Sequence, residues 1–289
     1  MNDHGLDLSR PEETSEAELQ EFRDFYERTV GYALPAFEPW IELRPDVLKR
    51  YRLQVWSTAS EAHADRPLIR TLCSLHYYVV VAYEDGILYE MRNAEAQGAS
   101  RSDILETVAL AFMDSGPRGQ RYVATGALDF LRNYEDPASP DPGRWPAGWA
   151  HDPGALAAGL DHSTPELLPG EYEKIAGWYE RVSGEVPGHV ELLGRLRPNL
   201  LKASRNRFEH ATRDTLPAQA VPFLLTNLAV ARGSAGGARE AVLMGRGLGL
   251  DLDATLDAIA WGLMFGGTDG VSAVQRGVGE ELSAWAEEA

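Results

Sequence analysis

The chain has 289 residues, 44% of them hydrophobic, and a formal net charge of −17. This composition can build a sizeable core, which excludes a wholly disordered chain, and the length indicates about two domains or one large one. The negative charge excludes binding to nucleic acid and to an anionic membrane surface, because both require clustered cations.

A single cysteine, Cys73, excludes an intrachain disulfide, a Cys-x-x-Cys redox pair and a cysteine-rich zinc site. No run of apolar residues is long enough for a transmembrane helix. The acid-rich N-terminus lacks the basic start and the apolar segment of a signal peptide. We therefore expect a cytoplasmic protein in which residues 1–16 form a flexible N-terminus.

Residues 17–135 have helical periodicity. Apolar residues recur every three or four positions from Leu68 to Tyr83, as one face of a helix requires. The same spacing predicts further helices over residues 87–98, 100–117 and about 120–133. No alternating strand pattern of useful length occurs, so the sequence predicts an all-α fold.

The boundaries of these helices carry recognisable cap residues. Residues 82–86 predict a turn, with Asp85 as the N-cap of the helix that follows. Gly98 predicts the end of that helix. The next helix begins at Ser100 or Ser102, since both are residues that cap helix N-termini.

Residues 136–169 differ in composition from the segments on either side. They hold seven of the 17 prolines of the chain, and proline is excluded from helix interiors and from central strands. We therefore expect an irregular linker, too long for a tight turn, that packs through Trp145 and Trp149. It crosses the surface or ties its two neighbours together.

The sequence also contains an internal repeat. Short motifs recur 153 positions later: Tyr26-Glu27-Arg28 as Tyr179-Glu180-Arg181, Arg44 to Lys49 as Arg197 to Lys202, and Arg52 as Arg205. Further pairs occur at a shift of 151: Gly86 and Gly237, Gly98 and Gly249, Met113 and Met264, Gly116 and Gly267. We interpret the chain as two homologous helical bundles, a first repeat over 17–135 and a second, degenerate repeat over 170–289.

The segment Glu90-x₃-Ala94-x₃-Gly98-x₄-Asp103-Ile104-x-Glu106, followed by Gly116-Pro117, resembles the carboxymuconolactone decarboxylase family, which includes the alkylhydroperoxidase D-like proteins. That family has a helix with His-x₃-Ala-x₃-Gly, a Thr/Ser-x-x-Glu-Ile helix start and a Gly-Pro turn. The second repeat matches at Gly245, Gly249, Asp253, Asp257 and Gly266-Gly267. The resemblance implies two alkylhydroperoxidase D-type bundles fused in one chain. Because single-copy members commonly form rings of six, it also implies a homo-oligomer, either a trimer arranged as a pseudo-hexamer or a dimer.

Two departures from the family pattern bear on the chemistry. The positions of the family's Cys-x-x-Cys hold Glu84 with Ile87 in the first repeat and Ala235 with Ala238 in the second. The family's histidine position holds Glu90 and then Ala241. Disulfide-based peroxide reduction needs a low-pKa thiolate and a second cysteine, so we do not expect thiol peroxidase activity.

The first repeat retains polar residues around the family's site. Glu90 and His76 lie on the inner stripes of two helices that fold back at 82–86, at heights about 4.5 Å apart, and can act as acid and base. Tyr83 and Glu84 complete the candidate catalytic set, and a tyrosine hydroxyl there can stabilise developing negative charge. The candidate substrate-binding residues are Tyr89, Arg92 and Arg70, with the arginines suited to an anionic small molecule.

Each candidate also has a structural interpretation. A lone histidine on an apolar stripe is more often a core residue, and tyrosines at helical spacing often only pack. Glu84 at a helix start suits the helix macrodipole. Glu90 is harder to explain without a function, because an unpaired carboxylate facing a core is costly, although a cation from another subunit could pair with it.

The sequence therefore predicts a cofactor-independent lyase or isomerase that performs acid–base chemistry on a small carboxylated or lactone metabolite, with the substrate class implied by the family resemblance. No cofactor-binding motif and no metal-ligand spacing occurs among the seven histidines. The alternative is a non-catalytic family member that binds a ligand or a partner protein. The second repeat has Asn227, Ala235 and Ala241 in place of His76, Glu84 and Glu90, which is compatible with one working site or with none.

Overall fold

The computed structural model describes residues 2–61, 67–137 and 141–288. Within these ranges nearly all regular structure is helical, which confirms the predicted all-α class. Two short strands, β1 (Asn2–Asp3) and β2 (Leu6–Asp7), pair antiparallel. The helices are α1 (Glu16–Val30), α2 (Glu38–Leu43), α3 (Pro45–Glu61), α4 (Pro67–Val81), α5 (Glu84–Ala96), α6 (Arg101–Gly126), α7 (Leu128–Arg132), α8 (Glu171–Ser183), α9 (Gly188–Leu196), α10 (Pro198–Ala211), α11 (Ala220–Ala231), α12 (Ala235–Gly247) and α13 (Leu252–Glu288). In the described ranges, no helix combines the length and the apolar character needed to cross a lipid bilayer.

Residues 2–15, expected to be flexible, pack against the first helices. Leu6 and Leu8 are buried in an apolar cluster with α1 and α3. The ammonium group of Lys49 in α3 donates a hydrogen bond to the carbonyl oxygen of Arg10, at 3.2 Å. Residues 2–15 are therefore held by buried leucines and by a buried lysine, and the predicted flexible N-terminus is wrong for this segment.

The start of α6 follows the local sequence. The Ser100 hydroxyl accepts a hydrogen bond from the Asp103 amide (3.0 Å), and the Asp103 carboxylate accepts one from the Ser100 amide (2.7 Å). This reciprocal pair is a capping box. Of the two predicted starts, Ser100 is therefore the N-cap. Gly98 adopts a left-handed φ of 79° just beyond α5, as its predicted role at the end of that helix requires.

Two boundaries differ from the prediction. Asp85 is not an N-cap, because it lies inside α5 and its carboxylate accepts a hydrogen bond from the Tyr32 hydroxyl at 2.9 Å. The helices predicted over 100–117 and 120–133 are instead one kinked helix, α6, followed by the short α7. The kink lies at Gly116, whose φ of 57° and ψ of −149° are accessible only without a side chain.

The helices α1 to α6 and α8 to α13 follow one another in the same manner in the two parts of the chain. Gly267 kinks α13 as Gly116 kinks α6, with φ of 49° and 57°. Arg44 before α3 and Arg197 before α10 have φ of −148° and −150°, both with ψ of 64°. At these two pairs of positions the backbone conformations of the two parts therefore match.

Each part also contains a buried lysine–glutamate ion pair. Lys49 Nζ lies 2.8 Å from Glu18 Oε1, and Lys202 Nζ lies 2.8 Å from Glu171 Oε2, with both lysine side chains fully buried. Burial opposes ionisation of Glu171, but Lys202 and two backbone amides bind the carboxylate and lower its pKa to about 2. The recurring lysine is therefore a structural cation.

The two parts are joined by direct packing of α4 against α11. In addition, α13 packs on α3, and α6 packs on α10. One apolar cluster extends from Leu68 to Ala258 and includes side chains of both parts. Trp145, Leu156 and Leu160 of the proline-rich linker are buried in the same cluster, so the linker belongs to the core.

Glu171→Ala tests the buried ion pair. The substitution leaves the Lys202 ammonium group without its counter-charge, and such a change costs about 3–5 kcal/mol in protein interiors. This pair lies just beneath the surface, where water penetration reduces the cost, so we expect the free energy of unfolding to fall by about 2–3 kcal/mol. Urea unfolding followed by far-UV circular dichroism measures the loss.

The control for this experiment is Glu288→Ala, which removes the partner of Arg246 in an exposed ion pair. We expect it to change the free energy of unfolding by less than about 0.5 kcal/mol. Equal losses in the two variants would contradict the structural role of the buried pair.

Candidate functional site

A cavity of about 80 Å³ lies between the first part of the chain and α13. From the first part its lining includes Tyr26, Arg52, Tyr78, Tyr83, Tyr89 and Glu90. Trp261, Met264 and Phe265 of α13 close the other side. The Trp261 indole donates a hydrogen bond to the Ser74 hydroxyl at 3.0 Å, across 187 positions of sequence. The cavity is therefore assembled by the packing of the two parts.

Glu90 is buried in the wall of this cavity. Its Oε2 accepts a hydrogen bond from Asn93 Nδ2, one turn further along α5, at 3.2 Å. Burial disfavours the charged form and raises the pKa of Glu90 to about 8, although the bond from Asn93 and the charge of Arg52 oppose the shift. Both protonation states are therefore accessible near neutral pH, as a group that takes and returns a proton requires.

Tyrosine side chains form much of the cavity wall. The predicted site residues Tyr83 and Tyr89 line it together with Tyr78 and Tyr26. The rings of Tyr78 and Tyr83 lie 5.2 Å apart, as do those of Tyr26 and Tyr89. Burial raises the pKa values of Tyr83 and Tyr89 to about 12. Both hydroxyl groups therefore keep their protons near neutral pH and can donate hydrogen bonds.

Arg52 lines the cavity but was absent from the sequence-based candidates. Its guanidinium is buried against the carboxylate of Asp3, to which Nε and Nη2 both donate, the latter at 3.1 Å. Asp3 therefore compensates the charge of Arg52, and Glu90 remains largely uncompensated. The recurrence of Arg52 as Arg205 was the signal that could have identified it.

His76 does not belong to the described lining of this cavity. It is fully buried on α4, where neither ring nitrogen has a hydrogen-bond partner of normal geometry among the described residues. Burial lowers its pKa to about 4, and the nearby backbone of Leu224 in α11 opposes the shift only in part. The structure does not bring His76 and Glu90 together, because His76 packs toward α11 whereas Glu90 lines the cavity covered by α13.

The other three candidates also lie outside the described lining. Glu84 Oε1 accepts a hydrogen bond from Thr125 Oγ1 at 3.0 Å, which ties α5 to α6. Arg92 is exposed. The guanidinium of Arg70 lies 5.9 Å from the centre of the Trp261 ring. The contacts of Glu84 and Arg70 join separate elements and give these two residues a structural role.

The single thiol group of the chain lies in the core. Cys73 is fully buried on α4, and burial raises the pKa of its thiol well above the usual value, which keeps it protonated and unreactive. Across the ranges that the structure describes, no three His, Cys, Asp or Glu side chains are grouped closely enough to hold a metal ion.

Comparisons of this chain with protein-family models, with curated proteins and with solved structures find no match. The resemblance carried by the segment from Glu90 to Pro117 therefore stays a hypothesis. Function has to follow from the geometry and the charge of the site itself.

Glu90→Gln tests the protonation state of the buried carboxyl group. The pKa of Glu90 is about 8 in the folded protein against an ordinary 4.5, so the folded state holds one more proton than the unfolded state between these values. Wild-type stability should therefore fall as the pH rises through this window, whereas glutamine cannot ionise. Above pH 8 we expect the variant to be more stable by about 3–5 kcal/mol.

Urea unfolding of both proteins at several pH values from 5 to 9 measures this difference. A stability difference that does not change with pH would contradict a proton held by Glu90 in the folded state.

His76→Leu has the opposite pH dependence. The pKa of His76 is about 4 when folded against an ordinary 6.5, so the unfolded state binds the extra proton between these values. Wild-type stability is then complete above pH 6.5 and is lost as the pH falls toward 4, by about 3 kcal/mol. We expect the leucine variant to lack this loss, as measured by urea unfolding between pH 4 and 7.5. The exposed His210→Gln is the control, and a matching effect in it would exclude burial as the cause.

Proposed function

We propose that the Glu90 cavity is the site of a cofactor-independent lyase or isomerase that moves protons on a small molecule. The observation that carries this proposal is a buried carboxyl group, with a pKa of about 8, facing a cavity lined by protonated tyrosine hydroxyls. Burial of such a group without a cation costs stability, so a fold that retains it has a use for it. Enzymes often tune a glutamate into this range for general acid–base catalysis.

The chemistry follows from these groups. The Glu90 carboxylate removes a proton from a carbon next to a carbonyl group, and the electrons of the C–H bond move to the carbonyl oxygen. Tyr83 and Tyr89 donate hydrogen bonds to the enolate that forms. Return of the proton to a different carbon completes an isomerisation, whereas departure of a leaving group from the next carbon completes a lyase reaction.

The cavity limits the substrate. Its volume of about 80 Å³ compares with about 30 Å³ for each water molecule in the liquid. A substrate of few heavy atoms, or the reacting end of a larger one, fits this space. Because Glu90 is mostly protonated at neutral pH, it does not repel a carboxylated or lactone-bearing metabolite, the class that the family resemblance implies.

We also infer that the chain is an internal duplication related to the carboxymuconolactone decarboxylase-like proteins. The paired kinks at Gly116 and Gly267 support this inference, as do the paired buried lysines. Leu43 and Leu196 lie at equivalent positions and are 74% and 51% exposed. The family resemblance extends the proposal to a homo-oligomer, with a trimer or a dimer as the candidates.

The proposed chemistry is tested by incorporation of deuterium from solvent. Wild-type protein in D₂O is mixed with a panel of small ketones, lactones and carboxylic acids, and loss of the proton signal next to the carbonyl is followed by NMR. We expect Glu90→Gln to lower the exchange rate at least ~100-fold and Tyr83→Phe to lower it ~10–100-fold. Because the base is the carboxylate, the wild-type rate should rise with pH and level off above the pKa of Glu90, about 8.

Glu84→Gln is the matched control, since it changes a carboxylate on the same helix that binds Thr125 outside the cavity lining. Its exchange rate should equal that of the wild type. Exchange by Glu90→Gln at the wild-type rate would assign the base elsewhere. Saturable binding of a panel compound with no exchange would favour the alternative function, a non-catalytic ligand-binding protein.

A further inference from the structure

A second cavity, of about 190 Å³, lies in the second part of the chain at positions equivalent to the first. Tyr179 and Arg205 line it as Tyr26 and Arg52 line the Glu90 cavity. The covering helix again comes from the other part, because α6 supplies Leu110, Met113 and Asp114. These are the counterparts, at the shift of 151, of the α13 residues that close the first cavity.

The second cavity is larger because smaller or polar side chains replace aromatic ones. Four replacements occur in its lining: Ser204 for Tyr51, Glu240 for Tyr89, Leu110 for Trp261 and Asp114 for Phe265. Glu240 also lines two neighbouring cavities, of about 380 and 410 Å³. Its side chain is partly exposed, so a ligand can approach it from solvent.

Glu240 and His189 form a pair beside these cavities. Glu240 Oε2 lies 3.4 Å from His189 Nδ1, with the two side chains 28% and 50% exposed. The degenerate second repeat therefore contains an acidic side chain in its cavity, one position before Ala241, the counterpart of Glu90.

Arg205 supplies an unsatisfied donor in the same lining. Arg205 is only 4% exposed, and its Nε donates a hydrogen bond to Glu209 Oε1 at 2.7 Å. Its Nη1 is buried and has no hydrogen-bond partner within the part of the chain that the structure describes. Tyr179 lies beside the guanidinium, but no hydrogen bond of normal geometry joins Nη1 to its hydroxyl. An unpaired buried donor in a cavity wall calls for an acceptor on a ligand.

The charges around the cavity are already matched in pairs. Arg205 is paired with Glu209 and Asp114 with Arg232 at 3.5 Å, and His189 balances Glu240 when its imidazole is protonated. A charged ligand would bring a buried charge with no counter-charge, which is costly. Most of the remaining lining is apolar, with Leu110, Met113, Ile175, Leu193, Leu201 and Phe208 among its members. The site therefore suits a neutral ligand with an apolar body and a single polar group.

We propose that this cavity binds a neutral one-ring hydroxy compound of the phenol class, whose oxygen accepts a hydrogen bond from Arg205 Nη1 and whose hydroxyl donates one to Glu240. A hydroxyl group on a ring is both donor and acceptor, so a single atom can serve both side chains. The size agrees, because an apolar cavity of about 150 Å³ is enough to bind benzene. This site is separate from the Glu90 cavity, and the proposal does not depend on catalysis there.

Phenol itself is the probe, titrated into the full chain at pH 7 and followed by isothermal calorimetry. We expect saturable binding that Glu240→Gln weakens at least ~10-fold through loss of a hydrogen bond to a charged group. Ser204→Tyr restores the residue of the first part and should abolish binding by filling the cavity. Ser283→Tyr, which adds the same side chain at an exposed position of α13 outside this lining, should bind phenol as the wild type does.

Ligands of matched size test the chemistry of recognition. Benzene lacks the hydroxyl group, whereas benzoate and benzylamine carry a charge, so all three should bind at least ~10-fold more weakly than phenol. Tighter binding of either charged compound would overturn the assignment of a neutral ligand. Absence of saturable phenol binding to the wild type, or undiminished binding in both Glu240→Gln and Ser204→Tyr, would overturn the site itself. Urea unfolding of each variant shows that a loss of binding is not a loss of fold.

Discussion

The structure depends on the packing of α4 against α11. In α11 nearly every side chain from Ala220 to Ala231 is buried, and α4 is buried over most of its length. A helix that is apolar all round cannot leave a face to solvent and has to be covered on every side. Each of these two helices therefore shields part of the other from solvent. The two parts of the chain share a single core.

This shared core explains where the cavities lie. Because α4 and α11 are in contact, the long kinked helix of each part, α6 or α13, reaches over the other part. The kinked helix α13 covers the Glu90 cavity, and the kinked helix α6 covers the Glu240 cavity. Each cavity is therefore closed only when the two parts of the chain are packed together.

The two cavities share some lining residues at corresponding positions but differ in the surroundings of their acidic side chains. A buried arginine and a tyrosine recur in both, at Arg52 with Tyr26 and at Arg205 with Tyr179. Glu90 has only an amide neighbour and a compensated arginine, so burial governs its ionisation. In the second cavity the carboxylate stands one position earlier and meets a histidine. Among the residues that the structure describes, Glu90 therefore lacks an ionisable partner, whereas Glu240, one position earlier on the corresponding helix, lies beside His189.

The sequence by itself determined the all-α class, the capped start of α6 at Ser100, the glycine after α5 and the inward position of Glu90. These features depend on side-chain periodicity and on hydrogen bonds within one helical turn, which residues close in sequence decide. Only the tertiary structure decided that His76 packs toward α11, that Glu84 binds α6, that Arg52 lines the cavity and that the N-terminal segment is packed. Those outcomes arise from contacts between residues far apart in sequence, whose distances are set by how buried helices cover one another, and no local pattern encodes them.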